Sequence, residues 1–135
     1  MTDKQALLAY RMKQAEETLA DAEKMLVTQI SPRSVMNRLY YAMFYAVLAL
    51  FIHSNVNIKT SKHAGVIAFF DNEFVHTGKV DRQYSRILHR IFDARLECDY
   101  REFVEVAPED AAEFLRLAGE FLTVVKNLIA AESNG

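Results

Sequence analysis

Leu8, Met12, Ala15, Leu19, Ala22 and Leu26 follow one another at alternating steps of four and three, while lysine, glutamate and aspartate fill the positions between. On a helix of ~3.6 residues per turn that rhythm keeps one apolar stripe on one side, so it predicts an amphipathic helix from roughly Lys4 to Thr28. Ser31-Pro32 then offers a capping hydroxyl followed by proline at a first helical position, where its missing N–H does no harm. A second helix is predicted from there to about His53. From Leu39 to Ile52 it carries no charged residue. That run is shorter than the ~20 residues a bilayer crossing needs. It also contains three tyrosines, so it predicts a central helix buried on nearly all sides and no membrane span. Ser54 to Ser61 has no helical period and is rich in turn formers, which predicts a loop. A third helix is expected over Lys62 to His76, stopped by Gly78 in a left-handed conformation. Asp81 caps a fourth, Arg82 to about Cys98, with Tyr84, Ile87, Leu88, Ile91 and Phe92 on its apolar face. Asp99 to Ala107 is expected to connect it to a last helix. That helix starts at Pro108 and carries its stripe through Ala111, Phe114, Leu115, Ala118, Phe121, Leu122, Val125, Leu128 and Ile129. The tail Glu132–Gly135 is expected to fray.

Composition agrees with this all-α pattern, since the chain has only 4 glycines and 2 prolines in 135 residues. Its length suits one domain, 1–135, without repeat or linker. A formal net charge of -2 excludes nucleic-acid binding by bulk attraction and leaves only local patches for it. Cys98 is the single cysteine, so neither an intrachain disulfide nor a thiolate metal cluster is available. With no apolar signal region behind Met1-Thr-Asp-Lys-Gln5, a cytoplasmic location is expected.

Against this background a few polar residues stand out. Continuing the apolar face of the fourth helix brings Arg95 where a leucine would be expected, with Asp99 one turn later and Tyr100 beside it. An inward guanidinium costs free energy unless it is paired or opens onto a polar cleft, so Arg95, Asp99 and Tyr100 form either a structural ion pair or a site. On the second helix Ser34, Arg38, Tyr41, Ala42, Tyr45 and Ala49 share a face, with Met36, Tyr40, Met43, Val47 and Phe51 opposite. Close helix packing accounts for Tyr45, and Arg38 and Tyr41 stay open as ligand-binding candidates. His63 stands in the first turn of the third helix on the face of Ile67, Phe70 and Phe74. Near the positive end of a helix dipole a histidine tends to stay neutral and is suited to donate to an anion, although a lone histidine on an apolar face is more often a satisfied core residue. Arg82, Arg86 and Arg90, with His89 beside them, recur along the fourth helix, but Asp93 and Glu97 continue that stripe and it is expected to be a solvated outer face. The four scattered histidines give no metal-ligand pattern, and no glycine loop cradles phosphate. No metal and no cofactor is expected.

Taken in order, Ser34-Val-Met-Asn-Arg38-Leu-Tyr40-Tyr41-Ala-Met-Phe44, Lys62-His63-Ala-Gly65-Val, Phe74-Val-His-Thr-Gly78 and Arg95-Leu-Glu-Cys-Asp99-Tyr100 resemble the small stand-alone HEPN-domain proteins of bacteria and archaea, over about Ser31 to Leu128. The resemblance implies an up-and-down bundle of about five helices that commonly forms a homodimer and is often paired with a minimal nucleotidyltransferase in toxin–antitoxin-like systems. It also implies, for many members, metal-independent ribonuclease activity. In those members an arginine is separated by four to six residues from a histidine, the histidine handling protons and the arginine steadying phosphate charge. Arg95 matches the arginine, but Asp99 and Tyr100 stand where the histidine would be. Arg82 and His89 satisfy the spacing only on the outer stripe. A salt bridge to Arg95 would also lower the pKa of Asp99 and weaken it as a base.

Three expectations follow. In the first, the cleft of Arg38, Tyr41, His63, Arg95, Asp99 and Tyr100 binds a nucleotide or RNA phosphate, for which arginine forks are suited. In the second, the chain is an unconventional ribonuclease toxin with Arg95 as phosphate stabiliser and Asp99 or Tyr100 handling the proton. In the third, these groups only tie the bundle together.

Overall fold

A computed structural model describes residues 2–58, 62–100 and 106–133, with the backbone alone at 97–100 and 132–133. Among them the chain forms α1 (Asp3–Val27), α2 (Pro32–His53), α3 (His63–Phe70) running into a π turn (Asp71–Val75), α4 (Arg82–Tyr100) and α5 (Pro108–Ser133), with no strand. The helix starts follow local chemistry. Thr2 and Gln5 exchange side-chain and backbone hydrogen bonds in a capping box at the head of α1. Ser31 accepts from the Ser34 N–H at the head of α2, with Pro32 just inside it.

The other three long helices, α1, α4 and α5, pack around α2. α1 buries its stripe through the small residues Ala15 and Ala22, and α5 through Ala111, Ala118, Phe121 and Val125. By length and composition α2 would suffice to cross a membrane. Its apolar window is instead 67% buried inside the bundle, where twelve of its residues, from Val35 to Phe51, form the centre of the core. The uncharged run thus belongs to a helix surrounded on most sides by its own chain.

Three boundaries differ from those the sequence predicts. The third helix changes at Asp71 into a π turn, closed by the His76 N–H donating to the Asp71 carbonyl at 2.8 Å. The extra residue in this wider turn accompanies the burial of Phe70, Phe74 and Val75 together. Gly78 then ends the segment at φ +83, the left-handed conformation expected of it. α4 continues two residues beyond Cys98, so the backbone of Asp99 and Tyr100 is helical and not part of the connection. α5 extends through Glu132 to Ser133 in the segment expected to fray. The rest of the predicted connection, 101–105, and the ends of the chain lie outside the described residues.

Candidate functional site

Three helices meet over two adjacent tyrosines of α2. Tyr40 is fully buried, and its ring lies edge-on to Tyr41 with centroids 5.3 Å apart. The half-buried Arg95 of α4 sets its guanidinium 4.9 Å from the Tyr40 ring centre and 5.3 Å from that of Tyr41. Arg38, one turn before Tyr41, sets its own guanidinium 5.4 Å from the Tyr41 ring and donates to Asn37 Oδ1. Two cations from different helices therefore share one phenol ring, each resting on a negative π face. An arginine at the end of an apolar stripe is thus accommodated against aromatic rings.

His63 completes the cluster from the first turn of α3. Its ring packs against Phe44 with centroids 4.2 Å apart, stands edge-on to Tyr41, and brings Nδ1 to 2.9 Å from the Tyr40 hydroxyl oxygen. Partial burial and then the nearby Arg95 charge hold the His63 pKa below its ordinary value of 6.5, because both disfavour a second positive charge there. Burial pushes the Tyr40 phenol upward, outweighing the attraction of Arg95, so Tyr40 keeps its proton. On the other side of Arg38 an open groove of about 380 Å³ is lined by Met25, Arg33, Ser34, Asn37 and Arg38. The cationic surface thus continues along α2 toward its N-terminus.

Of the residues the sequence singles out, Arg38, Tyr41, His63 and Arg95 come together here. The side chains of Asp99 and Tyr100, and with them the Arg95–Asp99 ion pair, lie outside the described residues. Tyr45 joins only as a ring 5.9 Å from Tyr41. Sequence reasoning missed Tyr40, placed on the face of α2 opposite Arg38 and Tyr41. A signal was available, because a tyrosine in a core needs a partner for its hydroxyl, and His63 is a polar group on the facing stripe of α3. Arg82, Arg86, His89 and Arg90 are exposed as expected of an outer stripe. His89 nevertheless donates to Asp71 Oδ2 at 2.6 Å, and Ser85 to Asp71 Oδ1 at 2.7 Å, so Asp71 ties the π turn to α4.

With this geometry in hand, similarity to known proteins becomes informative. The HEPN domain matches residues 8–128. A "UPF0332 protein" of Thermotoga maritima is 39% identical over 129 residues, which cover 96% of either chain. A "Putative toxin" of Methanocaldococcus jannaschii is 29% identical over 122 residues, covering 90% of this chain and 81% of its own length. A second "Putative toxin" of that organism is 40% identical over 86 residues, covering 64% and 62%.

Proposed function

Because the chain belongs to the HEPN family, we propose that it is the toxin-like HEPN component of a toxin–antitoxin-like pair, and that Arg38, Tyr41, His63 and Arg95 bind a phosphate of a nucleotide or RNA. The observation that carries this reading is the convergence of Arg38 and Arg95 from two helices on the Tyr41 ring. Paired guanidiniums are matched to phosphate oxygens, and an exposed edge of aromatic surface beside them suits a base. The net charge of -2 makes such a local cluster the place where an anion would be held. In this reading the protein works in the cytoplasm as a homodimer, partnered by a minimal nucleotidyltransferase.

Expression of the chain in a bacterial host tests the toxin-like part. Growth arrest is expected with the wild type, relief on co-expression of a nucleotidyltransferase encoded beside it, and normal growth with Arg95→Ala at equal protein level. Unchanged arrest by Arg95→Ala would remove the cluster from the activity.

A second reading, cleavage of RNA, is favoured by one observation. Arg95 and His63 both contact Tyr40, so a guanidinium and an imidazole stand together although no histidine follows Arg95 in sequence. In such a reaction the imidazole would take the 2′-hydroxyl proton while the guanidinium stabilises charge on phosphorus-bound oxygens.

A further inference from the structure

We infer that Tyr40 locks His63 as a neutral Nε2–H donor, so that His63 helps Arg95 hold a phosphate oxyanion and does not serve as a general base. The inference rests on the phosphate-binding reading above and decides between binding and cleavage at the same cluster.

The Tyr40 hydroxyl carries one proton, and among the described residues the only hydrogen-bonding partner of its oxygen is His63 Nδ1 at 2.9 Å. Arg95, which lies over the Tyr40 ring, has donors and no acceptor, so it cannot receive that proton. If Tyr40 donates, Nδ1 is the accepting nitrogen, and the ring proton of neutral His63 sits on Nε2. The opposite tautomer would leave a fully buried hydroxyl proton without an acceptor among the described residues.

The surroundings keep the ring neutral. The rings of Tyr40 and Tyr41 face it from α2, and Arg95 faces it from α4 with a permanent positive charge. No carboxylate among the described residues is in hydrogen-bond or ion-pair contact with His63 to favour an imidazolium. Phe44 packs against the ring with the two planes tilted by 32°. A neutral N–H next to a guanidinium is a donor set for phosphate oxygen, and a ring whose lone pair is already occupied has none to offer a 2′-hydroxyl. Tyr40 is then a positioning residue that acts through His63.

Long-range ¹⁵N–¹H spectra of the histidine rings of the full-length protein at pH 7 test the lock without any ligand. The expected spectrum shows His63 neutral and protonated on Nε2, and Tyr40→Phe, which keeps the ring but removes the donor, should mix the tautomers. With a short single-stranded oligoribonucleotide as probe, Tyr40→Phe should weaken binding ~5-fold, about the worth of one hydrogen bond. His63→Ala should weaken it at least as much. His63→Gln, whose amide N–H stands near the Nε2 position, should keep most of the affinity. A proton on Nδ1, a charged ring at pH 7, wild-type affinity in His63→Ala, or RNA cleavage that His63→Ala abolishes would each overturn the inference. If Arg38→Ala and Arg95→Ala bind the probe as the wild type does, the parent reading fails instead, and the ligand-free spectrum still reports the tautomer.

Discussion

Arg95 illustrates how a single residue reconciles packing with chemistry. Its stem follows the apolar stripe of α4, and its charge is spread over the faces of Tyr40 and Tyr41 rather than sealed against aliphatic side chains. Such a contact contributes ~0.5–2 kcal/mol, so Arg95→Ala should lower stability by about that much without unfolding the bundle. His63 gives the residue scale its pH signature. Its pKa in the folded protein lies below the ordinary 6.5, so the unfolded chain binds the proton more readily. The neutral ring therefore contributes stability fully above pH 6.5, and the contribution is lost as pH falls through the depressed folded value. Urea midpoints measured downward from pH 7 should fall less in His63→Gln than in the wild type, and parallel curves for the two proteins would exclude this linkage. Arg95 was legible in the sequence because a charge on an apolar period is conspicuous. Its meeting with Tyr40 and His63 was not, because periodicity gives the face of each helix but not its rotation against a neighbour.

Among the elements, the segment from His63 to Gly78 departs most from expectation. Gly78 correctly marked its end, since a left-handed stop is a local signal carried by a single residue type. The π turn left no such mark, because one extra residue in a turn changes no composition, and the apolar residues Phe70, Phe74 and Val75 fit either helix. Its structural consequence falls on Asp71, which accepts from both Ser85 and His89 of α4. Asp71→Ala removes both bonds from a half-buried junction and should cost ~1–2 kcal/mol, read from the shift in urea midpoint. Oligoribonucleotide affinity should stay near wild type in that variant, because the junction involves none of the residues that contact Tyr41. A stability unchanged by Asp71→Ala would mean that water replaces both bonds without loss.

For the whole molecule, α2 is both the centre of the core and the floor of the site. Its uncharged run builds the packing that α1, α4 and α5 share, and its Arg38, Tyr40 and Tyr41 stand with His63 and Arg95 as three of the five residues of the cluster. The all-α architecture was legible because five amphipathic or apolar stretches were separated by turn signals. The composition of the site was only partly so, since His63 and Arg95 are distant in sequence and joined through a tyrosine that reads as core. In the proposed reading affinity for an anion depends on two helices at once, and titration of a short single-stranded oligoribonucleotide into the wild type, Arg38→Ala, Arg95→Ala and the double variant over a range of salt concentrations tests that most directly. Each single variant, shown to be folded by its melting curve, should bind about tenfold more weakly or worse, the loss of one charge-assisted contact, with a shallower dependence on salt. A folded double variant that binds with wild-type affinity and salt dependence would contradict the account.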